Sequence, residues 1–206
     1  MAKKISQAVV KRLPRYYRYL ETLENEGVSR VSSSSLAELL DITASQVRQD
    51  FCNFGGFGQQ GYGYDVSKLK KEIQKIIGLD RNYNLIIIGA GNIGRALAGY
   101  KGFSSEGFFV KALFDVKVDE KETNGVGIYH MDALGEYVKN NKVDIAVITT
   151  QGSVAPNVCD ELVSLGIKNI WNFAPIDLSV PSGVTVENIS MSESLYVLSY
   201  RMNNEA

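Results

Sequence analysis

The feature that most constrains the fold is a glycine-rich segment that follows a run of apolar residues. The segment Gly89-Ala-Gly91-Asn-Ile-Gly94 comes directly after Leu-Ile-Ile-Ile and precedes a stretch of helical character. A second apolar run ends in Asp115, an acid 21 residues after Gly94. A strand, a glycine turn, a helix and an acid at the end of the next strand form a dinucleotide-binding fingerprint, whereas the glycines alone would be a weak signal.

Each part of this fingerprint has a physical task. Gly89 permits the tight turn, Gly91 lets a pyrophosphate approach the backbone, and Gly94 lets the helix pack closely on the strand. Asp115 accepts hydrogen bonds from the adenosine ribose and repels a 2′-phosphate, which favours NAD(H) over NADP(H). The predicted cofactor-binding residues are therefore Gly89, Ala90, Gly91, Asn92, Ile93, Gly94 and Asp115.

The second half of the chain then alternates between apolar strands and helices. The predicted segments are 127–129, 131–140, 143–150, 154–165 and 168–173. Near-continuous apolar strands of this kind predict an α/β Rossmann-type parallel sheet that is covered on both faces. Because ligands bind at the carboxyl ends of parallel strands, further candidate site residues are Tyr100, Thr149, Thr150, Asn172 and Phe173. Of these we add Tyr100, Thr149 and Phe173 to the predicted cofactor site. For each of the five residues, ordinary packing is an equally good interpretation.

The first eighty residues have a different organisation. Helical spacing of apolar residues predicts a helix from Ser6 to about Asn25 and another from Val66 to Ile77. Two capping boxes, which begin at Ser35 and Thr43, predict two short helices joined by a tight turn, as in a helix-turn-helix. The second of these helices presents polar side chains suited to base edges in the major groove of DNA. They are Ser45, Gln46, Arg48 and Gln49.

Residues 53–64 contain five glycines with aromatic residues between them. One interpretation is a hairpin of poor strand propensity. The other is a wing whose bare backbone approaches a DNA phosphate or enters the minor groove. The helix pair before this segment favours the wing, and Gln59, Gln60 and Gly61 are its predicted DNA contacts.

The net charge of −1 conceals an asymmetry between the two halves of the chain. Residues 1–80 carry twelve Lys and Arg against nine Asp and Glu, whereas residues 81–206 carry ten against fourteen. A basic N-terminal region indicates that residues 1–80, and not the rest of the chain, bind a polyanionic partner. We therefore include Arg12 and Arg15 among the predicted DNA contacts.

Composition also argues against some classes of protein. No apolar run approaches the roughly 20 residues that span a bilayer, so no membrane partner is expected. A single histidine argues against a zinc site, and we expect no metal. Two cysteines in different regions, without a disulfide framework, suggest the reducing cytoplasm.

Residues 190–202 carry apolar side chains almost all round a predicted helix, which therefore requires burial on more than one side. Exchange of such a terminal helix between two protomers is a common route to a dimer. Packing of the helix on its own sheet is a nearly equal alternative.

Two kinds of function fit a dinucleotide fold, an enzyme and a ligand sensor. The fold uses nearly all of the 126 residues that follow residue 80, and His130 has no obvious carboxylate partner. A dehydrogenase needs a proton donor and a place for substrate, so we expect that the protein is not an enzyme. A small NAD-dependent oxidoreductase and a CoA- or nucleotide-binding structural module stay as alternatives.

The chain resembles, nearly end to end, the Rex family of redox-sensing transcriptional repressors. The segments that carry the resemblance begin at Lys11, Ser45, Asn53, Gly61, Gly89, Gly166 and Asn172. The resemblance implies an α+β winged helix-turn-helix domain (residues 1–80), a Rossmann NAD(H) domain (81–189) and a swapped C-terminal dimerisation helix (190–206). It also implies a homodimer that binds double-stranded palindromic operator DNA and releases it when NADH rises relative to NAD⁺.

Some positions differ from the usual family pattern. Gln49 and Gln60 stand where the family usually has basic residues, so weaker phosphate contacts are expected there. Ser190 stands where an aspartate is frequent, and Thr150-Gln151-Gly152 replaces the more usual Val-Pro-Ala.

Overall fold

The computed structural model describes residues 5–55 and 62–204 of the chain. The chain divides into two compact units, Met1–Arg81 and Asn82–Ala206. Each unit has its own buried apolar core.

The described part of the N-terminal unit contains helices packed on one apolar core and a short antiparallel strand pair. Its elements are α1 (Gln7–Asn25), β1 (Arg30–Val31), α2 (Ser33–Leu40), α3 (Ala44–Cys52), β2 (Tyr64–Asp65) and α4 (Val66–Ile77). At the centre of the core, the ring of Phe51 lies 4.9 Å from that of Tyr16 and 5.1 Å from that of Tyr64, measured between centroids. The core thus joins α1 and α3 to the strand pair.

The helix starts in this unit follow from capping side chains. The predicted box at α3 is confirmed, because Thr43 Oγ1 accepts the N–H of Gln46 while the Gln46 side chain accepts the N–H of Thr43. At α2 the prediction that Ser35 opens the helix is wrong. Ser32 is the N-cap, and its hydroxyl accepts the N–H of Ser35. Every serine in this run of four can cap a helix, so the sequence alone does not identify which one does.

The second unit is an α/β layer structure. Its strands are β3 (Tyr83–Ile88), β4 (Phe108–Asp115), β5 (Glu122–Thr123), β6 (Val126–His130), β7 (Ile145–Ile148), β8 (Asn169–Asn172) and β9 (Thr185–Asn188). Its helices are α5 (Asn92–Ala98), α6 (Gly102–Ser105), α7 (Leu134–Asn140, preceded by a 3₁₀ turn at Met131–Ala133), α8 (Ala155–Ser164) and α9 (Glu193–Asn204).

Within the described residues these strands form one sheet in the order β5-β6-β4-β3-β7-β8-β9. All neighbouring pairs are parallel except β5 with β6, which confirms the predicted parallel sheet and adds a short antiparallel edge. The chain crosses from one side of β3 to the other between β6 and β7. A crevice for ligands forms at such a switch point, at the carboxyl ends of the strands.

Alternate residues of the central strand β3 enter two separate cores, as the two-residue period of a strand requires. Leu85 and Ile87 pack in one cluster, whereas Ile86 and Ile88 pack in the other. All four side chains are at most 2% exposed. This burial on both faces explains the unbroken apolar run before the glycine turn.

Helix α9 differs from the other helices of this unit because every one of its residues is exposed. Leu195, Val197, Leu198 and Met202 are each more than half exposed. No helix within residues 5–55 and 62–204 is long and apolar enough to cross a membrane. Among the same residues, no group of three or more His, Cys, Asp or Glu side chains is placed to hold a metal ion.

Candidate functional sites

The glycine turn lies at the switch point of the sheet and leaves space where a ligand is expected. Gly89 has φ +107°, and a Cβ atom there would lie 2.8 Å from Thr149 Oγ1. A Cβ at Gly94 would lie 1.9 Å from the carbonyl oxygen of Gly89, so helix and strand approach too closely for any side chain. At Gly91 a Cβ would meet no atom of the described residues within 4 Å, apart from its two neighbours in the chain. Gly91 therefore keeps open space beside the backbone, which suits an approaching pyrophosphate.

Asp115 is held at the end of β4 by the backbone around it. Its Oδ2 accepts the N–H of Ala90 at 2.6 Å, and its Oδ1 accepts the N–H of Lys117 at 3.0 Å. A carboxylate has about four acceptor sites, so these two bonds leave capacity for ribose hydroxyls. Asp115 thus links the glycine turn to β4, and backbone N–H groups of the protein orient its carboxylate.

Thr149 has a supporting role in this geometry. Its hydroxyl faces the turn carbonyl oxygens of Gly89, at 2.8 Å, and Ile88, at 3.1 Å. A hydroxyl donates one proton, and here that proton is shared between these two oxygens. Thr149 therefore positions the glycine turn, and its side chain is not available as a donor to a ligand in this arrangement.

The crevice beside the turn has a volume of about 590 Å³, which lies in the range of small-molecule sites. Its wall includes Gly89, Gly91, Phe114, Asp115, Met131, Thr149, Thr150, Val154, Asn157 and Glu161. In a dinucleotide-binding fingerprint the acid at the end of the second strand faces the adenosine ribose, and the apolar side chains in the crevice beside Asp115 suit a flat base.

Tyr100 and Phe173 do not belong to the wall of this crevice within the described residues. They lie at the two ends of a series of ring contacts on the same unit. Tyr100 contacts Phe103 (4.9 Å between centroids), Phe103 contacts Trp171 (5.8 Å), and Trp171 contacts Phe173 (4.6 Å). Neither residue therefore lines the crevice, although Phe173 packs against the apolar cluster that contains Ala90 of the glycine turn.

Thr150, a candidate from the sequence, lines the crevice. Arg95 is a residue of this region that the sequence analysis did not include in the site. Arg95 Nε donates to the carbonyl oxygen of Ala90 at 2.7 Å and its Nη1 pairs with Glu120. This places a positive charge at the glycine turn. An arginine one position after the last fingerprint glycine was the available signal for it.

In the N-terminal unit, α3 exposes the residues that a recognition helix needs. Ser45, Gln46, Arg48 and Gln49 are all exposed, whereas Val47 on the opposite face is fully buried. Arg48 donates to the hydroxyl of Ser33 on α2 at 3.2 Å, which directs the guanidinium along the helix pair. The polar face of α3 is therefore open to a partner.

Arg12 is placed differently from its prediction as a DNA contact. Its Nε and Nη2 donate to the two carboxylate oxygens of Asp50, each at 2.7 Å, and Tyr16 donates its hydroxyl to Asp50 at 2.9 Å. The hydrogen bond to Asp50 is the main cause of the raised pKa of Arg12, and burial raises the pKa of Tyr16. Arg12 therefore stays charged and the phenol of Tyr16 stays neutral. Arg12 anchors α1 to α3 instead of facing solvent.

The remaining predicted DNA contacts divide into two groups. Arg15 is exposed on α1. Gln59, Gln60 and Gly61 lie outside the described residues. Next to that segment, Arg30 donates to the carbonyl oxygen of Tyr62 at 2.9 Å, and its guanidinium lies 5.9 Å from the centre of the Tyr62 ring. Arg30 is an exposed basic residue at this position that the sequence analysis did not identify.

Comparisons with known proteins connect both sites to one family. A family described as "Putative DNA-binding protein N-terminus" matches residues 4–52, and one described as "CoA binding domain" matches residues 80–176. The redox-sensing transcriptional repressor Rex of Clostridioides difficile is 50% identical to this chain over 97% of the chain and 96% of that protein. The chain belongs to the Rex family of redox-sensing transcriptional repressors.

Solved structures of a Rex-family repressor agree with this assignment. The crystal structure of RSP in complex with β-NAD⁺ and operator DNA has a TM-score of 0.92 and 47% identity, and covers 98% of this chain and 94% of that one. The crystal structure of RSP in complex with β-NADH has a TM-score of 0.91 and 44% identity, and covers 98% and 96% of the two chains. The Rex assignment therefore spans both units, including the segment that the CoA-binding description covers.

Proposed function

We propose that this protein is a transcriptional repressor that binds operator DNA as a homodimer and releases it when NADH binds. The observation that carries this proposal is the near full-length similarity to Rex repressors, which joins a helix-turn-helix to a dinucleotide fingerprint in one chain. The relatives are named as repressors and not as enzymes, so the protein is a regulator and the oxidoreductase alternative is not supported.

The DNA-binding function is proposed for the exposed face of α3 and for nearby basic residues. Arg48 and Gln49 are suited to guanine and adenine edges, and Ser45 and Gln46 lie near the helix N-terminus that enters the major groove. Arg15 and Arg30 are exposed cations suited to phosphate contacts, whereas Arg12 supports the helix pair through Asp50. Gln59, Gln60 and Gly61 stay proposed contacts of the wing. A repressor of this kind acts at the chromosome, so we propose the cytoplasm as its location.

The NAD(H)-binding function is proposed for the glycine turn, Asp115 and the crevice beside them. The open space at Gly91 and the oriented carboxylate of Asp115 fit a pyrophosphate and an adenosine ribose, respectively. The pyrophosphate and the adenosine ribose are identical in NAD⁺ and NADH, so contacts to them bind both forms with equal affinity. Equal affinity for the two forms does not shift the protein between its DNA-bound and DNA-free states. The two forms of the coenzyme differ in that the oxidised nicotinamide ring is positively charged and the reduced ring is not.

Discrimination between the redox forms is therefore proposed for apolar residues away from the glycine turn. Burying an unpaired cation is costly, so an apolar pocket favours the uncharged reduced ring. Phe173 and Ala174 follow β8, and Phe173 packs against Trp171. We place the nicotinamide pocket at these residues together with α9 of a second protomer.

Homodimerisation is supported by the exposure of α9. A monomer that leaves an apolar helix without a single buried residue exposes surface that a second copy can cover. A palindromic operator requires two recognition helices about 34 Å apart, and a modest rotation of the protomers removes that spacing. The closing of the nicotinamide pocket around α9 is the proposed cause of this rotation.

The proposal is tested by binding to a fluorescently labelled palindromic promoter duplex. Fluorescence anisotropy is measured with NADH and with NAD⁺ at matched concentration, and NADH is expected to release the duplex. Thermodynamic linkage requires the operator to weaken NADH binding by the same factor. A single NADH affinity with and without operator contradicts the proposal.

A further inference from the structure

Two consecutive threonines at the end of β7 have contrasting environments. Thr149 shares its hydroxyl proton between two carbonyl oxygens of the glycine turn. The Oγ1 atom of Thr150 is buried, and it has no hydrogen-bond partner among residues 5–55 and 62–204. Among the described residues, no other buried side-chain nitrogen or oxygen lacks a hydrogen-bond partner.

A buried hydroxyl without a partner reduces the stability of the folded protein, because its hydrogen bonds to water are lost and not replaced. Valine has the same branched shape and carries no polar atom. The packing around Thr150 therefore gains nothing from its hydroxyl, and a hydrogen-bond partner outside the protein chain would account for it.

The position of Thr150 indicates what that partner is. Thr150 lies in the wall of the crevice of about 590 Å³ that also contains Gly89, Gly91 and Asp115. Rotation about the Cα–Cβ bond exchanges the positions of hydroxyl, methyl and hydrogen in staggered steps, so this side chain can present its hydroxyl to the crevice. Phe173, which we place at the nicotinamide ring, is not part of that wall.

We propose that the hydroxyl of Thr150 forms a hydrogen bond to an oxygen of the adenosine diphosphate portion of NAD(H). The inference rests on the proposed NAD(H)-binding function and adds a ligand contact to it. Because both redox forms contain the same adenosine diphosphate, this contact strengthens the binding of both equally and does not discriminate between them.

The experiment compares Thr150→Val with wild type in two measurements on the full chain. Thermal unfolding without nucleotide is expected to give a melting temperature equal to that of wild type or higher by about 2–4 °C. Calorimetric titration is expected to show that NADH, NAD⁺ and ADP all bind about three- to tenfold more weakly, as for the loss of one hydrogen bond. Thr150→Ser keeps the hydroxyl and should restore the affinity for ADP.

Thr149→Val is the matched control, since it removes the neighbouring hydroxyl whose bonds are already made within the protein. Its melting temperature without nucleotide is expected to fall below that of wild type, in contrast to Thr150→Val. The opposite signs at adjacent positions separate a ligand contact from a structural one.

Three results would overturn the inference. They are a lower melting temperature or failed folding of Thr150→Val, an unchanged affinity for ADP, and a loss confined to NADH or to NAD⁺. A wild-type protein that binds none of the three nucleotides would instead overturn the proposed function, so the two failures are distinguishable.

Discussion

The ion pair between Arg12 and Asp50 gives a prediction that separates a structural role from a DNA contact. Arg12→Ala removes two hydrogen bonds of 2.7 Å and leaves the Asp50 carboxylate with Tyr16 as its remaining donor among the bonds described above. The Asp50 side chain is 2% exposed and that of Arg12 is 19% exposed. Removing one partner of a buried pair costs about 3–5 kcal/mol. Because Arg12 is partly exposed and water can reach the vacated space, we expect about 3 kcal/mol.

This loss is measured as a change in the free energy of unfolding of the full chain in urea. Far-ultraviolet circular dichroism follows the helices of both units, and the fluorescence of Trp171, the only tryptophan of the chain, reports on the second unit. The dichroism transition assigned to the N-terminal unit should move to lower urea concentration in Arg12→Ala.

Operator binding provides the second part of the test. Each phosphate contact contributes about 0.9 to the slope of log K against log salt concentration, so a residue that acts once in each protomer contributes about 1.8. Below the unfolding range, Arg12→Ala should leave this slope unchanged, whereas Arg15→Ala, on the same helix, should reduce it. Wild-type stability together with a reduced slope in Arg12→Ala would refute the structural role.

Three further predictions concern the proposed sites. Asp115→Ala should weaken the binding of NADH and NAD⁺ by the same factor, about 10- to 100-fold for a charged acceptor, and a changed ratio in calorimetry would place redox discrimination at Asp115. Arg48→Ala should cost about 1–3 kcal/mol on operator duplex, and an equal loss on random duplex would make Arg48 a phosphate contact. Leu198→Lys should convert the dimer to a monomer in sedimentation velocity, because it places a charge in the proposed α9 interface; an unchanged dimer would exclude that interface.

Local sequence signals were sufficient where a short segment determines its own structure. The range of α4 is Val66–Ile77, as the apolar spacing predicts, and Gly78 ends the helix in the left-handed conformation with φ +80°. The capping box at Thr43 is present as predicted. In each case the interacting groups are at most four or five residues apart, so the local sequence is sufficient to predict where the helix begins or ends.

The edges of the sheet were not predicted, for a related reason. Strand β9 has alternating half-buried and exposed residues, and β5 has two residues, because an edge strand has one neighbour and less burial than a central strand. Both therefore lack the continuous apolar run that identified β3 and β7. The periodicity of apolar residues indicates which segments are buried, so it does not detect strands that are held mainly by backbone hydrogen bonds.

Partners that are distant in sequence explain the differences at the sites. Arg12 pairs with Asp50, 38 residues away in the sequence, and no local pattern distinguishes this partly buried arginine from the exposed Arg15 on the same helix. The contrast between Thr149 and Thr150 also depends on tertiary structure. Only the hydroxyl of Thr149 lies within hydrogen-bond distance of the carbonyl oxygens of Ile88 and Gly89. In each case the residue type shows that the side chain can form hydrogen bonds, but the fold determines which partner it bonds to.

The division of the cofactor residues into two groups has a consequence for how the protein senses redox state. Asp115, Gly91 and Thr150 lie around one crevice, whereas Phe173 belongs to the series of rings that begins at Tyr100. In the proposed scheme, contacts in the crevice set how tightly either coenzyme form binds and leave the ratio of the two affinities unchanged. Under this scheme, selection for tighter total binding and selection for a different NADH/NAD⁺ response act on separate residues. We therefore expect a change in the crevice to shift the coenzyme concentration at which the repressor responds, and a change near Phe173 to shift the redox ratio at which it releases DNA.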